Sequence, residues 1–116
     1  MNMEPNHQNK IVLSTMEGYY PVRPENIIYC KAQDSYTHVY LQDGKHYIIS
    51  RLLKEFEQVL AAHNFFRIHK SYLINIDHIE KVLKADGVTV MMSNQEELPV
   101  SFRKKEGFMQ MIKGPW

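Results

Sequence analysis

Turn signals cut this chain into short pieces, and their spacing constrains the fold more than any other feature. Asp43-Gly44 and Asp86-Gly87 are each flanked by strand-forming residues. Asp-Gly suits a tight hairpin, because a type I′ turn needs positive φ at both central residues. Further breaks fall at 16–18, 23–26, Asp34-Ser35, 76–78 and 93–96. Between them lie eight strand-like segments: residues 10–14, 19–22, 27–33, 35–42, 45–50, 79–85, 88–93 and 98–101. Alternation is clear in 35–42, with Val39 and Leu41 on one face and Tyr36, His38 and Tyr40 on the other. Pro21 restricts its segment to an edge strand or a strand end. A two-residue loop at Asp43-Gly44 sets His46 opposite Leu41 rather than near His38. Breaks about every ten residues predict small sheets or a sandwich.

The period changes after Ser50. Leu52, Leu53, Phe56, Val59 and Leu60 fall at helical spacing, with Arg51, Lys54, Glu55, Glu57 and Gln58 on the other side. A helix is predicted over about 51–62, capped by Ser50 and ended by Asn64 in a left-handed conformation. A second, weaker helix is predicted over about 102–112, burying Phe108, Met109 and Ile112. Gly107 costs it ~1 kcal/mol relative to Ala. The expected fold is mostly β: small antiparallel sheets with one clear helix and a short C-terminal one. Residues 1–9, rich in Asn, Gln and Pro, read as a disordered tail or linker remnant. The domain is placed at 10–113, followed by a tail at 114–116.

Several function classes find little support in these residues. The 44% hydrophobic and 23% charged fractions are those of a soluble globular chain. No apolar run approaches the ~20 residues of a membrane span, and the N-terminus lacks the apolar segment of a signal peptide. A cytoplasmic protein without membrane contact is expected. The single Cys30 cannot form an internal disulfide and sits in an apolar segment, where a buried structural thiol is expected. The six histidines show no metal-ligand spacing, and the isolated glycines build no phosphate loop. Neither a metal nor another cofactor is expected, and no nucleophile with a partnered base emerges, so an enzyme is not expected.

Three donor-rich stretches flanked by apolar anchors point elsewhere. They are Asp34-Ser35-Tyr36-Thr37-His38, Arg67-Ile68-His69-Lys70-Ser71 and Ser101-Phe102-Arg103-Lys104-Lys105. Arg and Lys can donate to guanine O6 and N7, and Ser, Thr, His and Tyr to phosphate oxygens. The middle stretch, within FFRIHKSYLIN at 65–75, is held by aromatics on one side and an apolar run on the other. A net charge of +1 neither requires nor excludes nucleic acid; the local clustering of basic residues carries the reading.

In order and content, these motifs resemble the LytTR DNA-binding domain, the output module of many bacterial two-component response regulators. The matching pieces are IIYCKAQDSYTHVYLQDGK at 27–45, Leu-Lys-Glu-Phe at 53–56, FFRIHKSYLIN at 65–75, the DGV hairpin at 86–88 and LPVSFRKK at 98–105. FFRIHKSYLIN is the most specific. The resemblance implies an elongated fold that reads successive major grooves of double-stranded promoter DNA through loops. It implies two direct-repeat half-sites, dimers or paired monomers on the DNA, and an upstream receiver or sensor domain in a longer protein. Carried onto this sequence, it implies Tyr36, Thr37 and His38 at one groove, His69 and Lys70 at the next, and Arg103 at a third contact. Lys104 and Lys105 suit phosphate, and Arg67 and Ser71 suit either phosphate or bracing of the loop. Phe102 departs from the pattern, standing where the family often has a basic residue. The competing reading is a β module whose edge strands and tyrosines bind a protein or peptide.

Overall fold

The computed structural model describes residues 9–116, so most of the expected N-terminal tail lies outside the described residues. The strands are β1 (Ile11–Thr15), β2 (Gly18–Val22), β3 (Ile27–Gln33), β4 (Tyr36–Leu41), β5 (His46–Ile49), β6 (Phe65–His69), β7 (Tyr72–Asn75), β8 (Ile79–Leu83), β9 (Thr89–Met92) and β10 (Glu97–Pro99). The helices are α1 (Leu53–Val59) and α2 (Phe102–Lys113). All strand pairing is antiparallel. A central five-stranded sheet has the order β5-β4-β3-β7-β6, beside a β1-β2 hairpin and a three-stranded sheet β10-β9-β8. The molecule is elongated, at 42 × 29 × 23 Å.

The central sheet is covered on both faces. On one, Cys30, Val39, Leu41, Ile49 and Leu73 pack with Leu53, Phe56 and Leu60 around α1 and with Ile11, Leu13 and Val22 of the hairpin. The Tyr20 and Tyr47 rings stack at 4.5 Å and tie β2 to β5. On the other face, Ile28, Tyr29, Ile68 and Ile74 pack against Val90, Met92 and Leu98 of the small sheet and Phe108 of α2. Met109 and Ile112 flank Phe108, as the helical spacing predicted. A bulge between Ile27 and Tyr29 lets two adjacent residues, Ile28 and Tyr29, face the same core, while Ile27 and Cys30 on either side face the other. Cys30 is fully buried, and burial alone pushes its thiol well above the ordinary range, so it is structural.

Four local expectations are revised. Residues 65–75 form two strands, β6 and β7, joined at Lys70-Ser71, where a single donor-bearing stretch was expected. The first helix is shorter than 51–62 and starts from Leu52 rather than Ser50. Glu55 accounts for that shift, accepting from the Leu52 N–H at 2.9 Å and from Arg51 Nη1 at 2.7 Å. The chain then tightens into a 3-10 turn at Ala61–His63 and ends at Asn64 with φ 65°, the left-handed residue expected there. Finally, the β4–β5 loop is not a two-residue type I′ turn. Leu41 N–H donates to Lys45 O and Gly44 N–H to Leu41 O, closing a three-residue loop with Gly44 at φ 88°. His46 therefore lies opposite Tyr40, not Leu41. One residue of register turns its side chain from the core face to the open face.

Gly107 lies in α2 with a helical backbone, and a methyl there would meet Phe66 Cζ at 4.0 Å, an ordinary contact. Gly107→Ala should stabilise the domain by ~1 kcal/mol, read as a higher denaturation midpoint at unchanged slope.

Candidate nucleic-acid interface

The second and third donor stretches meet in space. α2 begins where β6 ends, because Ser101 N–H donates to Ile68 O at 2.9 Å. His69, Lys70, Ser101, Phe102, Arg103 and Lys104 line one concave surface together with Arg67 and Glu57. Lys105 lies away from it, on the side of α2 shared with Met109 and Lys113.

Arg67 fixes the shape of the turn. Its Nε donates to His69 O at 2.9 Å, its Nη2 to Lys70 O, and its Nη1 to Glu57 Oε1 of α1 at 2.8 Å. The guanidinium fork spans the turn carbonyls and is anchored in turn by a carboxylate, a geometry that lysine cannot supply. Of the two roles left open for Arg67, bracing is the one this geometry serves. Ser71 contributes backbone: its N–H donates to His69 Nδ1 at 3.0 Å, and its carbonyl accepts from Ala32 N–H at 2.9 Å. With Nδ1 accepting, neutral His69 carries its ring proton on Nε2, leaving that nitrogen as the donor.

The first stretch is arranged differently from the expectation. Thr37 is fully buried, and its hydroxyl donates to Arg51 O at 2.6 Å. It is a core residue of β4 and is withdrawn from the site, because alternation turns it inward beside Val39 and Leu41. Tyr36 is 48% exposed at the start of β4. His38 faces outward from the sheet and lies directly opposite Lys31 of β3; Lys31 in turn lies opposite Tyr72 of β7, and Tyr72 opposite His69 of β6. His38, Lys31, Tyr72 and His69 thus form one row across four strands, spanning about 14 Å at ~4.8 Å per strand. Lys31 was missed because it sits in the apolar segment IIYCKAQ; its place in the alternation, two residues after Tyr29, was the available signal.

The family follows from comparison. Residues 17–113 match the family model described as the LytTr DNA-binding domain. This chain belongs to the LytTR family. The sensory transduction protein LytT of Bacillus subtilis is 29% identical over 96 residues, covering 81% of this chain and 39% of that protein. An uncharacterized response regulatory protein of Vibrio cholerae is 28% identical over 103 residues, covering 85% and 40%. The LytTR domain described here therefore spans about two-fifths of the curated relatives it matches. Among solved structures, the LytTr DNA-binding domain of a Bacillus cereus response regulator superposes with a TM-score of 0.75 at 27% identity, covering 91% of this chain and 97% of that one. The mostly β, elongated fold expected from the sequence is the fold of that domain. Among the described residues, no helix is long and apolar enough to cross a membrane.

The shifted register of this LytTR domain also builds a histidine pair. His38 Nδ1 and His46 Nε2 are 2.7 Å apart, and the His46 ring stacks on Tyr40 at 4.4 Å. Only one of the two facing nitrogens can carry a proton in such a hydrogen bond. Partial burial, then the positive charge available to His46 and that of Lys31, hold His38 below its ordinary value of 6.5. Folding thus favours neutral His38. Its contribution to stability is complete above pH 6.5 and is lost as pH falls through the lower folded value. An NMR titration should place the His38 midpoint below 6.5, and Lys31→Met should move it upward. A wild-type midpoint at or above 6.5 would contradict this account.

Proposed function

We propose that this LytTR domain binds double-stranded promoter DNA sequence-specifically, as the output domain of a cytoplasmic two-component response regulator. The observation that carries the reading is the concave surface where the β6–β7 turn meets the start of α2. Lys70, Arg103 and Lys104 supply its unpaired positive charge, while its one carboxylate, Glu57, is engaged by Arg67. That is the arrangement a polyanion requires. His69, Lys70 and Arg103 are assigned to base edges in a major groove. Lys104 and Lys105 are assigned to phosphate, with Lys105 reaching a strand beyond the concavity. Tyr36 and His38, joined by Lys31, extend the contact along the central sheet. Ser71 donates its hydroxyl to phosphate, and Arg67 acts by holding the turn.

One domain covers a few base pairs, so two domains on direct-repeat half-sites, as a homodimer or as paired monomers, would supply the affinity that a net charge of +1 does not. The printed names of the relatives, a sensory transduction protein and a response regulatory protein, support an upstream receiver or sensor domain in the full-length protein.

Lys70→Ala and Arg103→Ala should each weaken binding to a cognate duplex by about 1–3 kcal/mol and relax specificity at one base position. Lys104→Ala should weaken all duplexes alike and reduce the slope of log K against log salt by about one phosphate contact. Arg67→Lys should lose specific affinity with an unchanged salt slope. Fluorescence anisotropy across a salt series checks all four variants. Full affinity in both Lys70→Ala and Arg103→Ala removes the site assignment.

A further inference from the structure

Phe102 is the first residue of α2 and is 90% exposed. It departs from its surroundings, because its neighbours in the concavity are His69, Lys70, Ser101, Arg103 and Lys104. A phenylalanine ring left in water forgoes the stabilisation that burial would return. The fold does not use the ring: seven residues on, Met109 lies on the same helical stripe and packs against the core that holds Phe108, whereas Phe102 stays exposed. Its backbone is nevertheless fixed. Ser101 N–H is bonded to Ile68 O, Val100 N–H to Val88 O, and Lys104 N–H to Ser101 O. The ring is therefore carried on a rigid support, between the turn that bears Lys70 and the guanidinium of Arg103.

We infer that Phe102 reads thymine by packing its ring against the 5-methyl group in the major groove. This deepens the DNA-binding reading above and rests on it. The charge around the ring selects a polyanion over an apolar peptide or a second copy of this chain. Within duplex DNA, the thymine methyl is the apolar group that the major-groove floor presents to a side chain with no hydrogen-bonding capacity. Arg103, adjacent in sequence, can donate to guanine at the same time. The pair would then read a guanine and a neighbouring thymine from one turn of helix. A basic residue at position 102 would add attraction to every sequence; phenylalanine adds discrimination instead.

The test uses the 116-residue chain. Duplexes are enriched from a random library, and each thymine of the winning site is replaced singly by uracil, which removes only the methyl. Wild type should lose about four-fold in affinity at one thymine per bound domain, the worth of one buried methyl. Phe102→Ala should keep its thermal midpoint, bind the thymine duplex about four-fold more weakly than wild type, and be indifferent to uracil at that one position. An identical uracil profile in the two proteins overturns the inference while leaving DNA binding intact. So does a uniform loss in Phe102→Ala accompanied by reduced DNA bending, which would mark the ring as a minor-groove wedge. Loss of self-association in Phe102→Ala with an unchanged uracil profile overturns it in favour of a second copy. Failure to enrich any duplex removes the DNA-binding reading itself, and the inference with it.

Discussion

The structure depends on β3 being buried on both faces at once. Ile27 and Cys30 belong to the core beneath α1, while Ile28 and Tyr29 belong to the core beneath the small sheet and α2. A strand covered on one side would alternate strictly. This one departs from alternation at its start through the bulge between Ile27 and Tyr29. With both faces committed to packing, the ends of the central sheet are where polar residues can gather. The β3–β4 and β6–β7 turns lie at the same end, linked by the Ala32 N–H to Ser71 O bond. The donor-bearing turns gather at this end, beside the outward-facing row of His38, Lys31, Tyr72 and His69.

Arg67 shows how that end is made rigid. As an ion pair its bond to Glu57 is partly exposed and worth little to stability. Its value is geometric: a single planar group fixes two carbonyls of the turn and connects them to α1. The His69 side chain adds a second brace through Ser71 N–H. A polyanion meeting this surface would therefore encounter donors already aimed, with less ordering entropy left to lose on binding.

Much of the fold was legible in the sequence. Turn spacing and alternation gave eight of the ten strands, and helical spacing gave the buried side of α2. The FFRIHKSYLIN segment was identified as central but not as a hairpin. Its two-residue link, Lys70-Ser71, carries no glycine or proline, so the usual turn chemistry was absent and the arginine fork supplies the constraint instead. Of the site, His69, Lys70, Arg103 and Lys104 converge as their shared donor chemistry suggested. For Thr37 the two signals conflict: the resemblance implies a groove contact, whereas alternation places it with Val39 and Leu41, and the packing follows the alternation. Lys31 and the His38–His46 pair were hidden for a different reason: each depends on which residue lies opposite which, and a hairpin sequence does not state its register.

That register comes down to which residues close the loop. Extra residues between Leu41 and Lys45 could bulge into solvent and leave the pairing of β4 with β5 untouched. Losing one of the three loop residues need not move the strand either, because two residues can join the same closing pair. A different closing pair would: with Gln42 opposite Lys45, the whole outer strand would rotate, sending His46 and Ile48 toward α1 and expelling Ile49 from the core. The Leu41–Lys45 pair, rather than the number of residues beyond it, is what keeps the outer strand facing the right way.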